Sequence, residues 1–89
     1  MNDPLIYIIV LNFNGLNHLE YCLPSISKTI YSNHKIILVD NCSTDESVEY
    51  VKKNFPNITL LQADKNHGWA GGNNIGIKHA IEHNAEYVV

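Results

Sequence analysis

The sequence predicts an α/β domain with a four-stranded parallel sheet, in the order 3-2-1-4, and helices on both faces. Apolar runs alternate with helical segments in the order β-α-β-α-β-α-β. The connections are short, which favours parallel strands joined by right-handed crossovers. Polar, glycine-rich and asparagine-rich residues follow the first three runs. In an open α/β sheet, these residues lie at the carboxyl edge, where ligands bind.

The first strand and helix are predicted from residues 5–30. Residues 5–11, Leu-Ile-Tyr-Ile-Ile-Val-Leu, form a continuous apolar run that is typical of a strand buried on both faces. The next apolar residues have helical spacing: Leu16, Leu19, Leu23, Ile26 and Ile30. Asn14 is the expected N-cap of this helix. Pro24 is expected to kink or split it near Leu23.

The remaining elements follow the same alternation. Residues 35–40 form a second buried strand, and Ser43 with Glu46 forms a capping box that opens a second helix. The apolar face of that helix is Thr44, Val48, Val51 and Phe55. Residues 58–63 form a third strand. Residues 71–74, Gly-Gly-Asn-Asn, precede a third helix, and residues 86–89 begin a fourth strand that ends in mid-element. We therefore expect the sequence to be a fragment of a longer protein.

Composition excludes several classes of protein. The 89 residues suffice for one domain at most, and 45% hydrophobic residues is too many for a disordered tail. The net charge is −3 and all six basic residues are lysines, which argues against a nucleic-acid partner. Cys22 and Cys42 are expected to be free thiols. The absence of a long apolar run and of signal-peptide features at the N-terminus predicts a cytoplasmic location.

Three groups of residues could carry chemistry. Asp40 ends a buried strand, where it could bind a ligand or only cap the next turn through the amides of Ser43 and Thr44. It is expected to lie at the edge of the sheet rather than in the core. The glycine-rich segment 66–74 could bring backbone amides close to a phosphate, or could simply pack a helix against the sheet.

The third group is His79-Ala-Ile-Glu-His83, which matches the H-x-x-E-H pattern of a zinc site. The segment falls on a predicted crossover helix, and no third ligand follows it. The alternative is a solvated helix face near a C-terminus, which favours histidine. A zinc hydrolase is therefore the weakest of the functional interpretations.

Four blocks in order resemble family 2 glycosyltransferases. They are Ile8-Ile-Val-Leu-Asn-Phe-Asn-Gly15, then Leu19 with Cys22-Leu23 and Ser25-Ile26, then Val39-Asp-Asn-Cys-Ser-Thr-Asp-Glu-Ser47, and last Asn66-His-Gly-Trp-Ala-Gly-Gly-Asn-Asn-Ile-Gly76. They span most of the chain. The Ala-Gly-Gly-Asn-Asn form is similar to the bacterial rhamnosyltransferase-like subgroup, whose members make surface polysaccharides.

The resemblance implies a Rossmann-like GT-A fold, with residues 1–89 as the N-terminal nucleotide-sugar-binding part of an inverting enzyme. By position, Asn12, Phe13 and Asn14 would line the base pocket. Asp40 would accept a hydrogen bond from the nucleobase, with Asn41 and Ser43 beside it. Gly71, Gly72 and Asn73 would lie against the nucleotide. The implied partners are a nucleotide-diphosphate sugar donor and an acceptor hydroxyl, which in the full protein could be membrane-associated at the inner face.

The chain also departs from the family pattern. Many members have arginine near Gly72 and Asn73, and this chain has none. The family's metal-binding D-x-D follows the fourth strand, and its general base lies further on. The resemblance thus implies that a divalent cation (Mg or Mn) serves the complete enzyme, while residues 1–89 bind none and contain no catalytic residue. We expect the fragment to be inactive alone and to self-associate through its uncovered sheet edge.

The alternative from another functional class is a flavodoxin-like or receiver-like regulatory domain without sugar chemistry. A receiver would need clustered acids at the end of the first strand and a lysine late in the chain. This chain has Asn12 and Asn14 at the first position. That difference favours the transferase.

Overall fold

The protein has seven elements of secondary structure in the order β-α-β-α-β-α-β. Our computed structural model describes residues 5–28, 34–85 and 87–89. The strands are β1 (Ile6–Asn12), β2 (His34–Asp40), β3 (Thr59–Gln62) and β4 (Tyr87–Val88), and the helices are α1 (Leu16–Ser27), α2 (Ser47–Asn54) and α3 (Gly68–Glu82). Residues 1–4, which were expected not to be a signal peptide, the predicted helical position Ile30 and the predicted strand start Glu86 lie outside the described residues.

The strands form one parallel sheet. β1, β2 and β3 lie side by side, and β4 adds a two-residue ladder beside β1, so the order is β3-β2-β1-β4. The register aligns the last residues of three neighbours, since Asn12 pairs with Asp40 and Asp40 pairs with Gln62. The α/β class and the parallel sheet are therefore confirmed. The alignment brings the loops that follow β1, β2 and β3 to a common carboxyl edge.

Helices cover both faces of the sheet, as predicted. On one face Tyr7, Ile37 and Val39 surround Ala80 of α3. On the other face Leu38 lies in a cluster with Leu19 and Leu23 of α1 and with Val51 of α2. Because successive strand residues point to opposite faces, Ile37, Leu38 and Val39 supply both cores in turn. No helix in the described part of the chain is long and apolar enough to cross a membrane.

The first helix differs from the prediction at both its start and its middle. α1 is continuous from Leu16 to Ser27 with Pro24 inside it, so the expected split at Leu23 is wrong. The N-cap residue is Gly15, which has no side chain to cap the helix. The prediction of Asn14 as the N-cap is therefore also wrong. Asn14 adopts a left-handed backbone conformation with φ of 50° and bonds the loop after β2 instead.

The second and third helices also begin elsewhere than predicted. α2 begins at Ser47, and Ser43 bonds Asp40 instead of forming a capping box with Glu46. α3 begins at Gly68, so Gly71, Gly72 and Asn73 lie within the helix rather than in a loop before it. Gly68 itself has a φ of +76°, a conformation that side chains disfavour and glycine accepts readily.

Two glycines let α3 approach the sheet closely. A Cβ built on Gly72 would overlap the Leu11 side chain and would lie 2.8 Å from Nδ2 of Asn41. A Cβ on Gly76 would lie 2.9 Å from Cγ2 of Ile9 and 3.1 Å from Cγ2 of Val39. Gly72 and Gly76, one helical turn apart, therefore allow α3 to pack closely on the sheet. For segment 66–74, the sequence analysis gave such packing as the alternative to phosphate binding.

We expect Gly76→Ala to lower the free energy of unfolding by about 1–3 kcal/mol, because the added methyl overpacks the contact with Ile9 and Val39. In an unconstrained helix the same change would stabilise by about 1 kcal/mol. Urea unfolding followed by circular dichroism measures the difference. Asn74→Ala, at an exposed position of the same helix, is the matched control and should not destabilise. An equally stable Gly76→Ala protein would contradict the close approach.

Candidate functional site

The Asp40 carboxylate is the centre of the carboxyl edge. Its Oδ1 accepts hydrogen bonds from Nδ2 of Asn12 at 2.9 Å and from Oγ of Ser43 at 2.8 Å. Its Oδ2 accepts from the Ser43 amide at 2.9 Å. Asn12 also donates to Oγ of Ser43 at 3.2 Å. The predicted site residues Asn12, Asp40 and Ser43 therefore form one hydrogen-bonded cluster.

Burial of Asp40 corrects one sequence-based expectation. Only 2% of the residue is exposed, so it lies inside the fold rather than at an open edge. A carboxylate removed from water requires hydrogen-bond donors, and three are present. The turn-capping alternative is correct for the Ser43 amide. It is wrong for Thr44, whose amide donates to Oδ1 of Asn14 at 2.7 Å.

Asn14 ties the loop after β1 to the loop after β2. Its amide donates to Oγ of Ser43 at 2.8 Å, and its Oδ1 accepts from the amides of Thr44 and Asp45. Asparagine tolerates the left-handed conformation better than most residues do. That conformation therefore lets one residue bond the second loop through both its main chain and its side chain.

Asp45 is a site residue that the sequence analysis did not identify. Its Oδ2 accepts from the amide of Leu16, the first residue of α1, at 3.2 Å. Its Oδ1 accepts from the amide of Ser47, the first residue of α2, at 3.0 Å, and from the Ser47 hydroxyl. One carboxylate thus accepts a hydrogen bond from the first amide of each of two helices. The available signal was the position of Asp45 two residues before Ser47, a spacing that allows an Asx turn.

These hydrogen bonds favour the charged form of Asp45. The Ser47 hydroxyl makes the largest contribution, burial opposes it, and the amides of Ser47 and Leu16 add to it. Together they hold the pKa of the Asp45 carboxyl below its ordinary value of 3.8. The folded protein therefore binds this proton less readily than the unfolded chain does.

We predict an acid-labile contribution to stability from Asp45. A lowered folded-state pKa stabilises the fold above the unfolded value, and this stabilisation is lost as the pH falls from about 3.8 through the folded value. The urea midpoint, measured from neutral pH downward, should fall less steeply in Asp45→Asn than in the unmodified protein. The exposed Glu20 carboxylate of α1 provides the control Glu20→Gln. Identical pH profiles for Asp45→Asn and the unmodified protein would refute the assignment.

Asn41 joins the loop after β2 to the N-terminus of α3. The residue is 2% exposed. Its side-chain Oδ1 accepts from the amide of His67 at 3.0 Å, and its Nδ2 donates to the carbonyl of Gly68 at 3.0 Å. The main chain adds a bond from the Asn41 amide to the Asn12 carbonyl at 2.8 Å. Asn41 therefore fixes where α3 begins relative to Asp40.

The other predicted site residues are less closely connected. Phe13 follows β1 directly and is 49% exposed, so its ring is available for an apolar contact. Asn73 bonds within its own helix, from Nδ2 to the carbonyl of Trp69 at 2.9 Å. A Cβ on Gly71 would lie 2.9 Å from Cβ of His67, while Gly72 faces the sheet. The structure thus brings together Asn12, Asn14, Asp40, Asn41, Ser43 and Gly72, while Phe13, Gly71 and Asn73 are only their neighbours in sequence.

Histidine, cysteine, aspartate and glutamate side chains are the potential metal ligands. Among the described residues, no three of them lie close enough together to hold a metal ion. His79 and His83 stack their rings with centroids 4.0 Å apart. Glu82 does not complete a zinc site with them, so the zinc-hydrolase interpretation has no support here. Cys22 and Cys42 are free thiols, as predicted.

Cavities occur at both edges of the sheet. One of about 510 Å³ is lined by residues that include Lys35, Phe55 and Thr59. It lies at the amino edge, where Lys35 is about 16 Å from Asp40 along β2 by strand geometry. A smaller one of about 330 Å³ is lined by Asn14, Asp45 and the first turn of α1 at the carboxyl edge. We place the candidate site at the carboxyl edge because open α/β sheets bind ligands there.

Comparison with known proteins agrees with this architecture. Residues 7–88 match the model of glycosyl transferase family 2. Two Haemophilus influenzae proteins, each described as an uncharacterized glycosyltransferase, are similar to this chain. One is 34% identical over 83 residues, covering 90% of this chain and 33% of the relative. The other is 30% identical over 74 residues, covering 83% and 25%.

A solved structure is also similar. It is a mannosyltransferase from Pyrobaculum calidifontis in complex with GDP-Man and Mn²⁺. The TM-score is 0.77 and the identity is 26%, over 89% of this chain and 25% of that one.

The parallel sheet with helices on both faces is thus a Rossmann-type α/β fold similar to that of GT-A glycosyltransferases. The chain belongs to glycosyl transferase family 2. It spans a quarter to a third of the length of the relatives it matches. The family assignment excludes the flavodoxin-like and receiver-like alternative.

Proposed function

We propose that this chain forms the donor-binding part of an inverting glycosyltransferase, which moves a sugar from a nucleotide-diphosphate donor to an acceptor hydroxyl. The observation that carries the proposal is the meeting of three strand ends at Asp40: Asn12 at the end of β1 and Ser43 after β2 bond its carboxylate, and the Ala63 amide after β3 donates to its main-chain carbonyl. Membership of family 2 and the similar mannosyltransferase solved with GDP-Man support it.

The hydrogen bonds of Asp40 leave one acceptor position of its carboxylate unfilled. A carboxylate offers about four acceptor positions, and Asn12 and Ser43 fill three of them. Oδ2 accepts only from the Ser43 amide, so it retains an acceptor position for an N–H of the nucleobase. The exposed ring of Phe13 would provide an apolar wall for the base. Asn12 and Ser43 would hold the carboxylate in place.

The N-terminus of α3 would face the donor diphosphate. It lies at the same edge because Asn41 bonds His67 and Gly68 there. A helix N-terminus carries a partial positive charge that suits a phosphate group. In a chain without arginine, this end of α3 would supply part of the charge complementarity. Gly72 would contribute indirectly, because it allows α3 to approach Asn41 closely.

The divalent cation is expected for the complete enzyme and not for the described residues alone. They contain no cluster of three potential ligands, and the sequence contains no D-x-D pair. We therefore derive no step through a metal from these residues. The 89 residues are proposed to bind the donor without transferring its sugar, and their self-association remains a prediction.

The finer parts of the proposal concern the biological setting. We propose a rhamnosyltransferase-like enzyme of bacterial surface polysaccharide synthesis, working in the cytoplasm or at the inner face of the membrane on a membrane-associated acceptor. The Ala-Gly-Gly-Asn-Asn segment at residues 70–74 and the bacterial relatives support this setting.

We expect Asp40→Asn to weaken nucleoside-diphosphate binding about 10- to 150-fold, because a hydrogen bond to a charged group contributes about 1.5–3 kcal/mol. Titration calorimetry with UDP, GDP and dTDP measures this change. Glu20→Gln, at an exposed carboxylate of α1, is the control and should bind normally. If none of the three diphosphates binds the unmodified protein, the proposed function is wrong.

Asp40→Asn also places an amide N–H opposite existing donors in a buried cluster, so its melting temperature must be measured alongside. Phe13→Ala tests the same site without that complication, since the ring is half exposed. Loss of base stacking costs about 1–3 kcal/mol, so affinity should fall about 5- to 150-fold. Tyr21→Ala, which removes an 83% exposed ring from α1, is the matched control. Unchanged affinity in both Phe13→Ala and Asp40→Asn would remove these residues from the site.

A further inference from the structure

Two histidines lie one helical turn apart at the C-terminal end of α3. His79 is in the last turn and His83 is the C-cap residue. Their rings stack with centroids 4.0 Å apart and an interplanar angle of 16°. The donor-site proposal uses neither residue. What these two imidazoles can bind is therefore a separate question.

The hydrogen bonds of the pair determine which ring nitrogens are available. Nδ1 of His83 lies 2.8 Å from the carbonyl oxygen of His79. A carbonyl oxygen only accepts, so Nδ1 donates, and in the neutral ring Nε2 is an unprotonated acceptor. Neither ring nitrogen of His79 has a hydrogen-bond partner among the described residues. Each ring thus offers an uncommitted nitrogen.

We propose that His79 and His83 form a two-imidazole chelate site for a late divalent transition-metal ion such as Ni²⁺, Cu²⁺ or Zn²⁺. Imidazole suits these ions, whereas Mg²⁺ prefers oxygen ligands. With metal–nitrogen bonds of about 2.0–2.1 Å, two nitrogens on one ion lie roughly 3.0–3.4 Å apart. Imidazoles four residues apart on a helix lie on the same face, within reach of one ion, and the stacked rings would have to turn so that one nitrogen of each points at it. Water fills the remaining coordination positions.

The site is distinct from the candidate donor site. α3 begins beside Asn41 at the carboxyl edge and runs for 15 residues, about 22 Å, to His83 at the other end. Bound metal would join the last turn of α3 to its cap residue. An ion that binds only the folded protein would therefore raise its stability. The inference does not depend on the proposed sugar chemistry.

Titration calorimetry of the purified protein with Ni²⁺ tests the site. We expect one ion per chain for the unmodified protein and no binding of Mg²⁺. His79→Ala and His83→Ala should each weaken Ni²⁺ binding by at least about 10-fold, because loss of an outer-shell partner alone costs about 10- to 100-fold. His18→Ala removes an exposed histidine from α1 and is the matched control, with affinity unchanged.

His83→Asn separates the chelate from a structural role. Its side-chain amide can still donate to the His79 carbonyl, but it has no imidazole Nε2. Without metal, we expect the melting temperature of His83→Asn to equal that of the unmodified protein. With Ni²⁺, we expect only the melting temperature of the unmodified protein to rise. If His79→Ala and His83→Ala bind Ni²⁺ as tightly as the unmodified protein, the ion is bound elsewhere, for example at a cysteine thiol, and the proposal is overturned. An equal loss in His18→Ala would overturn it too.

Discussion

A buried carboxylate at the end of β2 determines the arrangement of the carboxyl edge. Asp40 is almost fully removed from water, and an unpaired charge there would be costly. Its donors come from Asn12 on the neighbouring strand and Ser43 in the next turn. Supplying them brings the loops after β1 and β2 together. Asn14, in the loop after β1, then bonds the loop after β2. Asp45, in the loop after β2, bonds the first residue of α1.

The same hydrogen bonds divide the predicted site residues into two groups. Asn12, Asn41 and Ser43 direct their side chains into the protein, where other residues already bond them. Phe13 leaves much of its surface open. The first group builds the site and the second is available for contact. A site whose polar groups are held before a ligand arrives loses little conformational freedom on binding.

The sequence predicted the succession of elements well because buried parallel strands produce long apolar runs. Residues 35–40 are almost all buried, as their composition indicated. Helix starts were predicted poorly because their partners are distant in sequence. Asp45 bonds the amide of Leu16 from 29 positions away, which no local capping pattern can show. Gly72 resembled a loop residue, since the need for close contact with Leu11 is visible only in three dimensions.

Family resemblance pointed to residues that the structure brings together but did not distinguish contact from support. From Asp40 to Ser47, buried or half-buried residues with fixed bonds are interspersed with exposed ones, namely Cys42, Thr44 and Glu46. A substitution at an exposed position changes the surface that a ligand or partner meets while the bonds beneath it persist. Cys42 has a φ of 67°, which few side chains adopt readily, so natural variation that diversifies recognition without remaking the fold should concentrate at Thr44 and Glu46.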